Sequence, residues 1–108
     1  MKKKSLSKNA SKVSKTAERA HIFFEGRVQG VGFRYTTEKI ALEIGLTGWV
    51  KNVPDGRVEV LCEGDRVRIE ALVDGLKNSP MGPHIRKVSC DWQKPTGEFT
   101  DFSVEFYL

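Results

Sequence analysis

A chain of 108 residues, 39% of them hydrophobic, fills one domain with a small core and cannot spare that core for a deep ligand cavity. No stretch approaches the ~20 apolar residues needed to cross a bilayer, and the lysines at the start lack the apolar run of a secretory signal, so a cytoplasmic chain that avoids membranes is expected. The net charge of +4 is unevenly placed, because residues 1–19 hold seven Lys and Arg against Glu18 alone whereas residues 20–108 hold eleven against thirteen acidic groups; a broad basic face for nucleic acid on the domain is therefore not supported.

Residues 1–19 are rich in Ser, Lys, Asn and Ala, the composition of a disordered basic tail. A targeting segment and an electrostatic tether to nucleic acid or acidic membrane are the alternatives for it. His21 to Val28 then reads as a strand, rich in β-branched and aromatic residues. After a glycine-bearing loop, Phe33, Thr37, Ile40, Ala41 and Ile44 recur at helical spacing, and Gly45 stops the helix. Thr47 to Val53 forms a second strand, Pro54-Asp55-Gly56 a tight turn, and Arg57 to Glu63 a third strand with Val58, Val60 and Cys62 on one face.

Asp65 caps a second helix whose buried stripe is Ile69, Leu72, Val73 and Leu76. The stretch from Asn78 to Pro83 ends it. His84 to Trp92 is a fourth strand with Val88, Cys90 and Trp92 alternating. A turn at Pro95-Thr96-Gly97 leads to a last strand, Phe102 to Tyr107, with Phe102, Val104 and Phe106 on one face. The order β-α-β-β-α-β plus a C-terminal edge strand is that of an α+β, ferredoxin-like split βαβ sandwich, an antiparallel sheet with two helices on one face. The expected domain covers residues 20–108. Cys62 and Cys90 read as reduced core thiols, with a disulfide as the alternative. Two cysteines and the scattered His21 and His84 give no metal-ligand spacing.

The chemistry concentrates in Gly26-Arg27-Val28-Gln29-Gly30-Val31-Gly32-Phe33, which runs from the first strand into Arg34 at the head of the helix. Three glycines bare the backbone, so that consecutive N–H groups can turn toward one point. The helix N-terminus adds its positive dipole end and Arg34 a planar, permanently charged fork. These parts make a socket for a tetrahedral dianion. No Gly-Lys-Ser/Thr follows, so the loop is not that of a nucleotide-binding P-loop and suits one small phosphate.

Gly26 to Arg34, followed by Gly48-Trp49-Val50-Lys51-Asn52 and a turn ending in Gly56, closely resembles the acylphosphatase family over residues 20–108. The resemblance implies hydrolysis of small acyl phosphates to a carboxylate and inorganic phosphate without metal or organic cofactor. It places the phosphate on the backbone of Val28, Gln29, Gly30, Val31 and Gly32, gives Arg34 the phosphate-binding guanidinium, and gives Asn52 the positioning of water. One departure is Val53, where the family often has threonine, so a hydroxyl contact from that position is lacking here. The chemistry of the residues agrees. An acyl phosphate has a good carboxylate leaving group, so the work left is stabilising charge on phosphorus-bound oxygens and aligning water.

The expected partners are a small acyl phosphate and the phosphate product, with a monomeric protein as the default. Two other functions compete: a non-catalytic anion-binding regulatory module that keeps the cradle, and nucleic-acid binding through the basic tail. Arg27 is expected to face solvent, Trp49 to serve packing, and His21 and His84 to be ordinary strand residues.

Overall fold

The computed structural model describes residues 16–30 and 32–106. Five strands and two helices follow in the order β1 (Ala17–Gly26), α1 (Phe33–Ile44), β2 (Thr47–Asn52), β3 (Val58–Asp65), α2 (Arg66–Lys77), β4 (Ile85–Gln93) and β5 (Phe102–Glu105), with a 3-10 turn at Gly82–His84 before β4. The sheet order is β4-β1-β3-β2-β5. All pairings are antiparallel except β2 with β5, which run parallel. This is the ferredoxin-like arrangement expected from the sequence, with β5 as the added edge strand.

Alternation along the strands sorts the residues onto two faces. One row across the sheet joins Cys90, Ile22, Val60, Val50 and Val104 through successive pairings. Ile22, Val60 and Val50 are fully buried, together with Phe33 and Ala41 of α1 and Ile69, Leu72 and Leu76 of α2. Both helices therefore lie on this one face. Ile40, Ile44 and Val73 pack at the margin of the core rather than inside it. Cys62 is buried as expected, and burial pushes its thiol up to about 12. Cys90 is exposed and free, against expectation, because β4 is an edge strand with a neighbour on one side only.

The first strand begins at Ala17, four residues before His21. Ala17, Glu18 and Arg19, assigned to the tail on composition, pair with Asp65, Gly64 and Glu63 of β3. Charge matching compensates for their polarity: Arg66 donates to both Glu18 carboxylate oxygens at 2.8 and 2.9 Å. The rest of the tail, residues 1–15, lies outside the described residues. Asp65 does stand at the N-cap of α2, but its carboxylate makes no cap bond to the helix and accepts instead from the Thr16 hydroxyl at 2.6 Å.

To reach its place beside β2, the chain must cross from the β4 edge to the opposite edge. Glu63, on the helix-free face and 6% exposed, holds that crossing. One carboxylate oxygen accepts from the Thr96 amide and hydroxyl at 2.9 and 3.0 Å, the other from the Gly97 amide at 2.9 Å. Arg19 Nε lies 3.4 Å away, and its guanidinium also meets Glu98 and the Phe99 ring.

Candidate functional site

The β1–α1 loop and the end of β2 meet at one end of the sheet. Val28 is fully buried and roots the loop in the core. Gly30 and Gly32 hold left-handed backbone at φ of 80° and 81°, a conformation that costs other residues roughly 1–2 kcal/mol. Gly32 is the N-cap of α1 and brings no side chain to cap it, and the first turn holds no acidic residue. Helix amides at such an end lack intrahelical acceptors. Their N–H groups remain available to a ligand.

The Gln29 side chain has a task of its own, apart from the backbone role expected of it. Its side-chain amide donates to the carbonyls of Val53 at 2.7 Å and Arg57 at 2.9 Å. These two residues already close the β2–β3 turn, since the Val53 amide donates to Arg57 O. Gln29 thus straps the loop to the hairpin that carries Asn52. Only its backbone remains for a ligand, and it does not line the cavity described next.

Val28, Gly30, Gly32, Phe33, Arg34, Tyr35 and Asn52 enclose a cavity of about 220 Å³. Drug-sized ligands occupy roughly 300–1,000 Å³, while a water takes about 30 Å³ of liquid. The cavity therefore fits a small group with a few waters. Arg34, on the first turn of α1, enters none of the ion pairs among the described residues. A cation without a counter-charge at a helix N-terminus is mildly unfavourable until an anion joins it. Instead the Arg34 guanidinium rests on the Phe106 ring, 4.9 Å from its centroid.

Asn52 supplies the other unusual group. Its Oδ1 is buried and has no hydrogen-bond partner. A buried acceptor left unpaired costs about 1–3 kcal/mol, so the fold tolerates a penalty at the cavity wall. Such an oxygen accepts a proton donor and a guanidinium accepts none; the cavity thus pairs an acceptor with a donor fork.

Size alone does not choose this cavity. A wider cleft of about 390 Å³ lies beside Glu25, Gly26, Asp55, Gly56, Arg57 and Arg86, but its arginines are engaged with Asp55 at 2.9 Å and Glu25 at 3.7 Å. Among the described residues no cluster of three or more His, Cys, Asp or Glu could hold a metal ion, and no helix is long and apolar enough to cross a membrane.

The structure thus brings Arg34, Asn52, Val28, Gly30 and Gly32 to one cavity. Val31 lies outside the described residues. Sequence reasoning missed Tyr35 on the wall, the Gln29 strap, and Phe106 beneath Arg34. The last had a signal, since Phe102, Val104 and Phe106 were placed on one face and that face is the one covered by α1. Arg27 is exposed as expected. Trp49 is half-buried on the helix-free face with Lys51 over its ring, and His21 pairs with Glu59.

The acylphosphatase family profile matches residues 20–104. The chain is 44% identical over 86 residues to an acylphosphatase of Roseiflexus sp. (strain RS-1), covering 80% of this chain and 92% of that protein. It is 48% identical over 79 residues to an acylphosphatase of Nostoc sp. (strain PCC 7120), covering 73% and 78%. The crystal structure of acylphosphatase from Bacillus subtilis superposes with a TM-score of 0.75 at 38% identity, covering 82% of this chain and 98% of that one. Loop, cavity and these likenesses together establish that the chain belongs to the acylphosphatase family.

Proposed function

We propose that the chain hydrolyses small acyl phosphates at the Arg34–Asn52 cavity, with Arg34 and the loop amides holding the phosphoryl group and Asn52 holding the attacking water. The observation that carries this reading is the buried, unpaired Asn52 Oδ1 in the wall of the cavity that Arg34 also lines. A water donating to that oxygen keeps a lone pair to aim at phosphorus.

The water oxygen bonds to phosphorus, and the carboxylate departs with the electron pair of the broken phosphorus–oxygen bond. Both water protons end on the product as dihydrogen phosphate. Asparagine is no base, so the proton passes to a phosphoryl oxygen of the substrate itself. Negative charge on the three equatorial oxygens is met by the guanidinium and backbone N–H groups, where fixed donors act without reorganising. The carboxylate needs no acid to leave. Metal assistance is correspondingly unnecessary.

The test is hydrolysis of a model acyl phosphate in the presence of a chelator, beside an ordinary phosphate monoester. Turnover of the first and not the second is expected. Equal rates on both would remove the leaving-group basis of the mechanism, and phosphate binding without turnover would favour the anion-binding module. We further propose that the protein is a monomer, that it is cytoplasmic and that residues 1–15 are dispensable for activity; light scattering checks the first, imaging of a tagged chain the second and assay of a truncated chain the third.

A further inference from the structure

We propose that Phe106 is a positioning residue for the phosphate site, acting through Arg34. The geometry rests on three facts. The guanidinium carbon of Arg34 lies 4.9 Å from the Phe106 ring centroid. Arg34 has no carboxylate partner among the described residues. Phe106 is itself 64% exposed, so the ring is not there to fill the core.

A guanidinium has two flat faces and an edge of five N–H donors. A carboxylate would take the edge, neutralise the charge and compete with phosphoryl oxygens for the same donors. An aromatic ring takes a face. It limits the side chain's rotamers while leaving both the donors and the charge for the ligand. For a cation that must wait for a dianion, a ring is therefore the better resting partner.

The fold brings the ring there by register. β5 runs parallel to β2 from Gly48 opposite Phe102 to Lys51 opposite Glu105. One residue further along the chain in each case are Asn52, the last residue of β2, and Phe106, the first past β5. The register thus brings the residue that holds water and the residue under the arginine to the same end of the sheet. The crossing that sets this register is fixed by Glu63 through Thr96 and Gly97.

This inference rests on Arg34 binding the phosphoryl group, and the experiment separates the two. Phe106→Leu keeps an apolar side chain and removes the π face; Phe106→Trp strengthens it. Each is compared with the parent for kcat, KM, inhibition by inorganic phosphate and melting temperature, alone and combined with Arg34→Ala. Contacts of this class at exposed sites correspond to roughly two- to fivefold in an equilibrium constant. Phe106→Leu should weaken phosphate inhibition and raise KM by up to that factor with a melting temperature lowered by only about 2–8 °C, Phe106→Trp should match or exceed the parent, and Phe106→Leu should add nothing in the Arg34→Ala background.

Parent-like phosphate affinity in Phe106→Leu overturns the proposal, as does an equal loss in the Leu and Trp variants or an undiminished effect without Arg34. If Arg34→Ala alone leaves phosphate affinity intact, the failure belongs to the functional reading instead.

Discussion

Replacing Asn52 by alanine should separate activity from stability, with the two moving in opposite directions. The side chain puts a buried Oδ1 with no partner into the cavity wall, at a cost of about 1–3 kcal/mol to the folded state. The main chain of Asn52 pairs with Val58 in the β2–β3 ladder, and alanine keeps that pairing. Truncation removes few packed atoms, because the residue is only half-buried and its tip borders an open cavity. Asn52→Ala is therefore expected to be neutral to about 2 kcal/mol more stable. For a domain of this size each kcal/mol moves the melting temperature by about 4–8 °C. Turnover of an acyl phosphate should meanwhile fall on the order of 10²–10³-fold, the cost of losing one preorganised polar group, while inorganic phosphate still inhibits. Scanning calorimetry beside a continuous hydrolysis assay reads both quantities. A variant that is destabilised by 2 kcal/mol or more and still turns over would mean that the amide serves the fold and not the water.

Arg34→Lys should weaken phosphate inhibition on the order of tenfold and reduce turnover as well, since a point charge cannot make two parallel bonds; a phosphate titration followed by kinetics decides it. Gln29→Ala removes two bonds to the β2–β3 turn and should cost about 1–2 kcal/mol in urea denaturation, with kcat/KM falling further because the loop loses its tie to Asn52. Glu63→Gln leaves an NH₂ facing one of the amides that now share the carboxylate, for a loss of about 2–4 kcal/mol by the same measurement. Thiol titration at pH 8 should find Cys90 reacting, though slowed because partial burial pushes its thiol up too, and Cys62 silent until the protein is denatured, because a group pushed up to about 12 stays protonated and is also buried. Two equally fast thiols would contradict the placement of β3 at the centre of the sheet.

The element order was legible because period-two and helical spacings are locally written: Val58, Val60 and Cys62 announce a strand and Ile69, Leu72 and Leu76 a helix. The convergence of Arg34 and Asn52 was legible through the family resemblance and through the logic of a dipole end facing a cation. What escaped depends on partners distant in sequence. Glu18 and Arg19 look like tail residues until Arg66 and Glu63 arrive opposite them. Cys90 alternates like a core residue, but alternation does not say that β4 is the outermost strand. Gln29 was read for its backbone, and nothing local reveals that its side chain spans to Val53 and Arg57. Phe106 reads from the sequence as part of the last strand, but β5 stops at Glu105, and the neighbour of its ring could be named only once β5 was known to run parallel to β2.

The parallel seam between β2 and β5 also bears on how the protein comes into being. While the ribosome is still emitting the second half of the chain, the outer margin of β2 is an unmatched row of peptide groups beside Val50, the kind of border on which chains stick to one another. It is sealed only by β5, made after the rest of the sheet, through a contact between segments far apart in the chain and hence slow to form. A message cut short before Phe102 would therefore yield a polypeptide prone to clumping and lacking the strand that ends beside the Arg34–Asn52 cavity.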